Sequence, residues 1–253
     1  MFPEERKSKI LNSLNKYGKV KVCELSQQFE VSEVTIRRDL QELEEEGMIK
    51  RVHGGAILSG NTKFEPTFSE KIYKFYDEKE SIGKLAASII VNGDTIALDA
   101  GTTTISIARY ITAKNITVLT NSVDVAYELA KKSDVEVVIT GGTIRWETRA
   151  MVGPVADNAI KNFRVDKAFI GTNGLSIING LTTPNIIEAN TKREMIKIAK
   201  QTIVVCDHTK FGTVYFAEIV DLDLVDIIIT DNQIDIDVLE GFEAKGVEIM
   251  KAK

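Results

Sequence analysis

Two sets of residues in this chain of 253 carry chemistry by type and spacing. The first centres on the adjacent cations Arg37-Arg38. Ser32, Glu33, Val34 and Thr35 come just before them, and Lys50, Arg51 and His53 follow shortly after. Paired guanidinium N–H groups suit phosphate oxygens and guanine edges, while hydroxyl, lysine and histidine donors add contacts to a phosphate backbone. The second set is a series of small polar segments: Asp99-Ala100-Gly101-Thr102-Thr103-Thr104, Thr120-Asn121-Ser122 and Thr140-Gly141-Gly142-Thr143. Glycine permits a tight turn, and successive backbone N–H groups with threonine hydroxyls can surround an anion. Lys210, in Asp207-His208-Thr209-Lys210-Phe211-Gly212, supplies a cation for the same anion, and Arg145 and Arg149 follow the Gly-Gly turn. Each segment also has a plainer reading. A Gly-Thr-Thr turn serves as punctuation and N-cap, and a loop lysine or arginine as exposed surface.

The first set needs helices to present it. Glu4 to Tyr17 has a helical pattern with Ile10, Leu11 and Leu14 on one face, and Gly18 stops it. Val20 and Val22 suggest a brief extended piece, and Cys23 to Phe29 a two-turn helix burying Leu25 and Phe29. Glu30-Val31 makes the turn, and Ser32 caps a helix from Glu33 to Glu46. On that helix Ile36, Leu40 and Leu43 face the core; Val34, Arg38 and Gln41 lie opposite, with Thr35 and Arg37 on the flanks. The acidic run Glu44-Glu45-Glu46 sits at the far end. Gly47 ends the helix, and Met48 to Ile57 reads as a hairpin carrying Lys50, Arg51 and His53 before Gly54-Gly55. This is the order of a winged helix-turn-helix, with the helix for base edges and the wing for phosphate or minor groove. Charge does not decide the matter, because residues 1–58 hold ten Lys/Arg and ten Asp/Glu. A three-helix protein-binding domain with a solvated charged face has the same outline.

The second set needs strand ends. Residues 59–77, with Gly60 and Pro66, lack sustained periodicity and read as a connector, with a helix starting near its end, between a domain at 1–58 and another at 78–253. Beyond it, strands are expected at Thr95–Leu98, Ile116–Leu119, Val135–Thr140, Lys167–Ile170, Ile203–Cys206, Ile227–Thr230 and Val247–Met250. Helices are expected at 79–90, 103–112, 122–132, 152–162, 186–200 and 236–244. This alternation predicts an α/β domain with a largely parallel sheet, whose strand ends share one edge and bind ligands there.

The stretch ELSQQFEVSEVTIRRDLQELEEEGMIKRVHGGA closely resembles the N-terminal signature of the DeoR family of bacterial transcription regulators, through V-S-x-x-T-I-R-R-D-L and R-x-H-G-G-A. The likeness continues through L-D-A-G-T-T-T, T-N-S, the G-G turn, V-G-P at 152–154, G-L-T-T at 180–183 and D-x-x-K-F-G at 207–212. The resemblance implies operator binding through Ser32, Glu33, Val34, Thr35, Arg37, Arg38, Lys50, Arg51 and His53. It also implies a C-terminal fold similar to ribose-5-phosphate isomerase, with a phosphorylated sugar as effector. Asp99, Ala100, Gly101, Thr102, Thr103, Thr104, Asn121, Ser122, Gly141, Gly142 and Lys210 would line its pocket. Glu188 falls near the place of an active-site acid in those enzymes. The rival expectation is a sugar-phosphate isomerase with an appended DNA-binding module. Isomerisation needs a base between neighbouring carbons and groups that manage oxyanion charge. Where the isomerases carry a Gly-x-Asp-Glu segment and a Lys-Gly-Gly run, this chain reads Ile170-Gly171-Thr172-Asn173-Gly174 and Asn179-Gly180-Leu181-Thr182-Thr183. No catalytic residue is therefore assigned, and a sensor is expected rather than an enzyme.

Other classes fit less well. Cys23 and Cys206 are the two cysteines and His53 and His208 the two histidines, so neither a disulfide framework nor a metal centre is expected. There is no G-x-x-x-x-G-K-[ST] loop for a kinase, and no organic cofactor is called for. No apolar run resembles a signal peptide or a membrane span. The expectation is a cytoplasmic repressor of a carbohydrate-use operon that grips paired half-sites as a homodimer or homotetramer.

Overall fold

In the computed structural model, which describes residues 2–46, 48–58, 62 and 65–253, helix α1 (Pro3–Tyr17) starts on a proline and stops at Gly18, whose φ of 74° is left-handed. A short strand β1 (Lys19–Lys21) follows. Val22, expected to be extended, instead opens α2 (Val22–Phe29), where it joins Leu25 and Phe29 on the buried face. The turn is made at Glu30, left-handed at φ 56°, whose amide bonds back to Ser26 and Gln27. α3 (Glu33–Glu45) follows with Ser32 as its cap, then β2 (Ile49–Val52) and β3 (Gly55–Leu58). Gly47, expected to end the helix, lies outside the described residues. The hairpin is the larger part of a sheet ordered β1-β3-β2. A Cβ on Gly55 would stand 1.9 Å from the Val20 carbonyl oxygen, so only glycine permits β1 to pair there. Ile10, Leu14, Leu25, Ile36, Leu40 and Leu43 close one apolar core.

The chain divides into two compact units, Met1–Pro66 and Thr67–Lys253. Within 59–77, read as a connector with a helix starting near its end, α5 (Tyr76–Ser88) does begin, and before it stands an additional α4 (Phe68–Ile72), begun by a capping box between Thr67 and Glu70. Then come β4 (Thr95–Leu98), α6 (Thr102–Tyr110), β5 (Ile116–Thr120), α7 (Val123–Leu129) and β6 (Val135–Ile139). A hairpin of β7 (Thr143–Ile144) and β8 (Met151–Val152) leads to α8 (Pro154–Ile160) and β9 (Val165–Gly171). β10 (Gly174–Ser176) and β11 (Gly180–Thr183) precede α9 (Ile186–Lys197) and β12 (Ala199–Val205). β13 (Ala217–Val220), β14 (Ile227–Thr230), α10 (Ile236–Glu243) and β15 (Glu248–Lys251) complete the order.

The main sheet runs β15-β14-β12-β9-β4-β5-β6, with every neighbouring pair parallel. Alternate strand residues feed two apolar clusters, Ala97, Ala168 and Val204 on one side and Leu98, Phe169 and Ile203 on the other. Burial on both faces explains the near-continuous apolar runs in the sequence. α9 stops short of the expected residue 200 because Ala199 pairs in register with Val165. Short antiparallel pieces, β10-β11-β13 and β7-β8, went unforeseen, since elements of two to four residues carry little periodicity. The strand order reverses between β9 and β4, which opens a crevice beyond their carboxyl ends.

Candidate functional site

α3 is positioned from below by an ion pair the sequence reading missed. Arg6 on α1 meets Asp39 through Nε–Oδ2 at 2.5 Å and Nη2–Oδ1 at 2.8 Å, both side chains less than a tenth exposed. Asp39 shares the stripe of Ile36, Leu40 and Leu43, and Arg6 lies one turn before Ile10. A charge on each of two facing apolar stripes was the signal available. On the outward side, Val34 is exposed and Arg37 and Arg38 project into solvent. Their partners are the exposed carboxylates of Glu33 at 3.1 Å and Glu42 at 3.3 Å. Surface pairs of this kind stabilise little, so phosphate can displace them. Ser32 is bound into the cap, accepting from the Thr35 amide at 3.2 Å with the two hydroxyls 2.9 Å apart. Lys50, Arg51 and His53 are exposed on the wing. The acidic end of α3 is not idle, however. Glu44 accepts from the Arg51 amide at 2.7 Å and pairs with its guanidinium at 3.3 Å, tying wing to helix. Between them lies a groove of about 350 Å³ bordered by Val34, Arg37, Arg38, Gln41 and Arg51.

In the second unit, the carboxyl ends of β4, β5, β6 and β9 bring the three polar segments to one edge. Asp99 is fully buried; its Oδ2 accepts from the Gly171 amide at 3.1 Å and from Lys192. Lys192, on α9, also donates to the Gly171 carbonyl at 3.1 Å and stands 3.9 Å from Glu188. Glu188, buried in the first turn of α9, pairs with Arg145 of the β7–β8 hairpin. Four charges thus alternate through the crevice: Asp99, Lys192, Glu188 and Arg145. Sequence reading found Asp99 and Glu188 but not Lys192, whose i+4 spacing from Glu188 on a helix was the available clue. Among the described residues, Asp99 Oδ1 and both polar side-chain atoms of the fully buried Asn121 have no hydrogen-bond partner.

The remaining expected residues divide by task. Thr102, Thr103 and Thr104 form the first turn of α6, where amides have no intrahelical acceptor; the Thr104 hydroxyl bonds the Gly101 carbonyl at 2.9 Å. Ser122 caps α7 through the Val125 amide at 3.2 Å. Ala100 packs on Ala150 and Val152. Gly141 and Gly142 have φ of 68° and 113°, and a Cβ on Gly142 would stand 2.8 Å from the Val152 carbonyl oxygen. Chain packing therefore accounts for Gly142. Lys210 lies two strands from β4, in a turn after β12, 3.5 Å from Asp207. Burial resists ionisation of Asp207, yet Lys210, Thr209 and Lys79 outweigh it and hold the carboxyl below its ordinary value. Burial pushes the Lys79 ammonium down to about 8, against the pull of Asp207 and with Lys210, Lys71 and Lys74 lowering it further.

Among the described residues, no His, Cys, Asp or Glu cluster is placed to hold a metal ion, and no helix is long and apolar enough to cross a membrane. Residues 6–62 match the DeoR-like helix-turn-helix domain and residues 74–232 the DeoR C terminal sensor domain. The chain is 36% identical over 254 residues to the HTH-type transcriptional regulator GolR of Listeria innocua, covering 100% of both. It is 38% identical over 252 residues to the HTH-type transcriptional regulator GlpR of Haloferax volcanii, covering 99% of this chain and 98% of the other. With the HTH-type transcriptional repressor GlcR of Bacillus subtilis it shares 36% over 253 residues, 99% and 96% covered. Ribose 5-phosphate isomerase A from Methanocaldococcus jannaschii is a similar solved structure, with TM-score 0.40 and 16% identity over 55% of each chain. Curated relatives of matching length are named regulators or repressors, which sets aside the isomerase alternative. With a helix-turn-helix before a sensor domain, this chain is a DNA-binding transcriptional regulator and belongs to the DeoR family.

Proposed function

We propose that this regulator represses a carbohydrate-utilisation operon and that a phosphorylated sugar at the carboxyl edge of its parallel sheet alters its hold on operator DNA. One observation carries the effector reading: the crevice between β9 and β4 gathers buried polar atoms that lack protein partners beside a helix N-terminus. Asp99 Oδ1 and the Asn121 amide suit sugar hydroxyls, and Glu188 offers a further acceptor. The first-turn amides and hydroxyls of α6 suit the phosphate. Lys192 supplies positive charge nearby, and Lys210 lies farther along the same edge. On the DNA side, Ser32, Glu33, Val34 and Thr35 open the reading helix, Arg37 and Arg38 divide between base edges and phosphates, and Lys50, Arg51 and His53 meet the backbone. The neutral charge of residues 1–58 favours paired half-sites, hence a dimer or tetramer, working in the cytoplasm where operator DNA is found. A ligand with different affinity for the DNA-competent and incompetent arrangements shifts their ratio by that difference.

A thermal-shift screen of the full chain against pentose and hexose phosphates, each beside its unphosphorylated sugar, tests the reading. At 100 times its Kd a ligand adds about 2.7 kcal/mol, or roughly 5–10 °C for a unit of this size. At least one phosphate is expected to raise the transition while its parent sugar does not. No shift with any phosphate, or equal shifts with and without phosphate, would overturn it.

A further inference from the structure

The β7–β8 hairpin touches both the crevice and the first residues of the sensor unit. On the crevice side Arg145 pairs with Glu188, the Met151 amide donates to the Asn121 carbonyl at 2.7 Å, and Ala150 bridges Ser122. On the other side the Phe68 amide donates to the Glu147 carbonyl at 2.6 Å, and the Arg149 guanidinium lies 4.4 Å from the centroid of the Phe68 ring. Arg145 also meets the Glu147 side chain at 3.3 Å. Phe68 is the second residue after Pro66, where the DNA-binding unit ends. The capping box at Thr67 and Glu70 makes this entry a firm helix start rather than slack chain.

The hairpin itself is built to shift. Its strands have two residues each, Ile144 and Trp146 are exposed, and Gly142 and Gly153 flank it at φ 113° and 91°. Arg149, at φ 57°, holds a left-handed conformation that is unfavourable for a residue with a Cβ. Ala150, Met151 and Val152 stay buried, so a modest change in bonding moves the exposed β7 strand of this two-residue ladder rather than its partner.

We propose that the β7–β8 hairpin couples the occupant of the Asp99–Glu188 crevice to the segment joining the two units, with Arg145 and Arg149 as its positioning residues. The coupling rests on the sugar-phosphate reading above. A sugar hydroxyl that bonds Glu188 competes with Arg145, and one that bonds Asn121 bears on the strand held by its carbonyl. Either change reaches the Phe68 amide through one short turn, since the Arg149 amide bonds the Arg145 carbonyl at 2.7 Å.

The test uses the full chain, ribose 5-phosphate, fructose 1-phosphate, fructose 6-phosphate and glucose 6-phosphate as probes, and a duplex selected from a random library by the protein. Thermal shift reports probe binding, fluorescence anisotropy reports operator affinity, and hydrogen exchange reports residues 67–72. In the wild type a binding probe is expected to change operator Kd at least fivefold and to alter exchange at 67–72. Arg149→Asn tolerates the left-handed backbone, and Phe68→Leu removes the ring but keeps an apolar side chain. Each is expected to keep the probe's thermal shift and unliganded operator affinity within twofold, while the probe-induced change in Kd falls below twofold. A full wild-type response in both variants, or unaltered exchange at 67–72 in the wild type, overturns the coupling alone. If no probe shifts the wild type, the effector reading fails and the coupling falls with it.

Discussion

Lys192→Met removes one half of a buried ion pair and leaves its volume nearly filled. Lys192 and Asp99 have side-chain exposures of 3% and 0%, so the remaining carboxylate would be charged, desolvated and short of a partner. Asp99 Oδ2 would keep the Gly171 amide at 3.1 Å, but Oδ1 has no partner to take up the load, and the Gly171 carbonyl would lose its donor as well. Breaking such a pair from one side costs about 3–5 kcal/mol, because the attraction is lost while the desolvation stays. For a unit of this size each kcal/mol corresponds to about 2–4 °C, so the sensor transition should fall by roughly 10 °C. Calorimetry or urea unfolding of the full chain measures this. The sharper arm is the double variant Asp99→Asn/Lys192→Met. With both charges gone the penalty largely disappears, and the double should be more stable than Lys192→Met alone by about 2 kcal/mol or more. Simple addition of the two single costs, or a Lys192→Met cost under about 1 kcal/mol, would show that the pair is not a desolvated unit. The crevice would then need another account.

Three further outcomes test other parts. Arg38→Ala should weaken operator binding roughly tenfold and flatten its salt dependence if the contact is to phosphate, without moving either thermal transition; unchanged affinity at several salt concentrations would misplace the reading face. Asp39→Ala should lower the stability of the DNA-binding unit by about 3 kcal/mol, because the buried Arg6 guanidinium loses the carboxylate that it meets through two hydrogen bonds, so binding is lost through unfolding rather than lost contacts; a wild-type melt would refute this. The third concerns pH. The folded Lys79 has a pKa of about 8 against an ordinary 10.5, so between those values the unfolded chain binds more protons and stability rises with pH. Below about pH 8 the ammonium is charged in both states and the full penalty of burying it remains. The sensor transition should therefore rise between pH 8 and 10 in the wild type, and Lys79→Met should abolish the rise; an unchanged slope in the variant would assign it to another group.

Much of the fold was legible because periodicity and punctuation are local. Ile36, Leu40 and Leu43 mark the inner face of α3, Ser32 its start and Gly18 the stop of α1, and each depends on residues within a few positions. The strands at Thr95–Leu98 and Ile227–Thr230 stood out because burial on both faces demands unbroken apolar runs. The candidate residues at those strand ends were legible for the same reason, since parallel topology sends every carboxyl end to one edge. β10, of three residues, and β11, of four, lacked an unbroken apolar run, and α4 was marked in the sequence chiefly by the Thr67–Glu70 box.

By itself, then, the sequence determined the long helices and the strands of the main sheet, their alternation and the kinds of group at the sheet edge. It could not determine which charges meet. Asp99 and Lys192 are ninety-three positions apart, and Arg6 and Asp39 thirty-three. In the sequence these are ordinary polar residues, and burial turns each pair into a matched unit. Tertiary structure also set Lys192 beside Asp99, and gave Gly142 a packing reason. It set a hairpin of four strand residues between the crevice and Phe68. Such pairings arise from packing distant segments into a low-dielectric interior, where an unpartnered charge is costly and the partner is set by proximity in space.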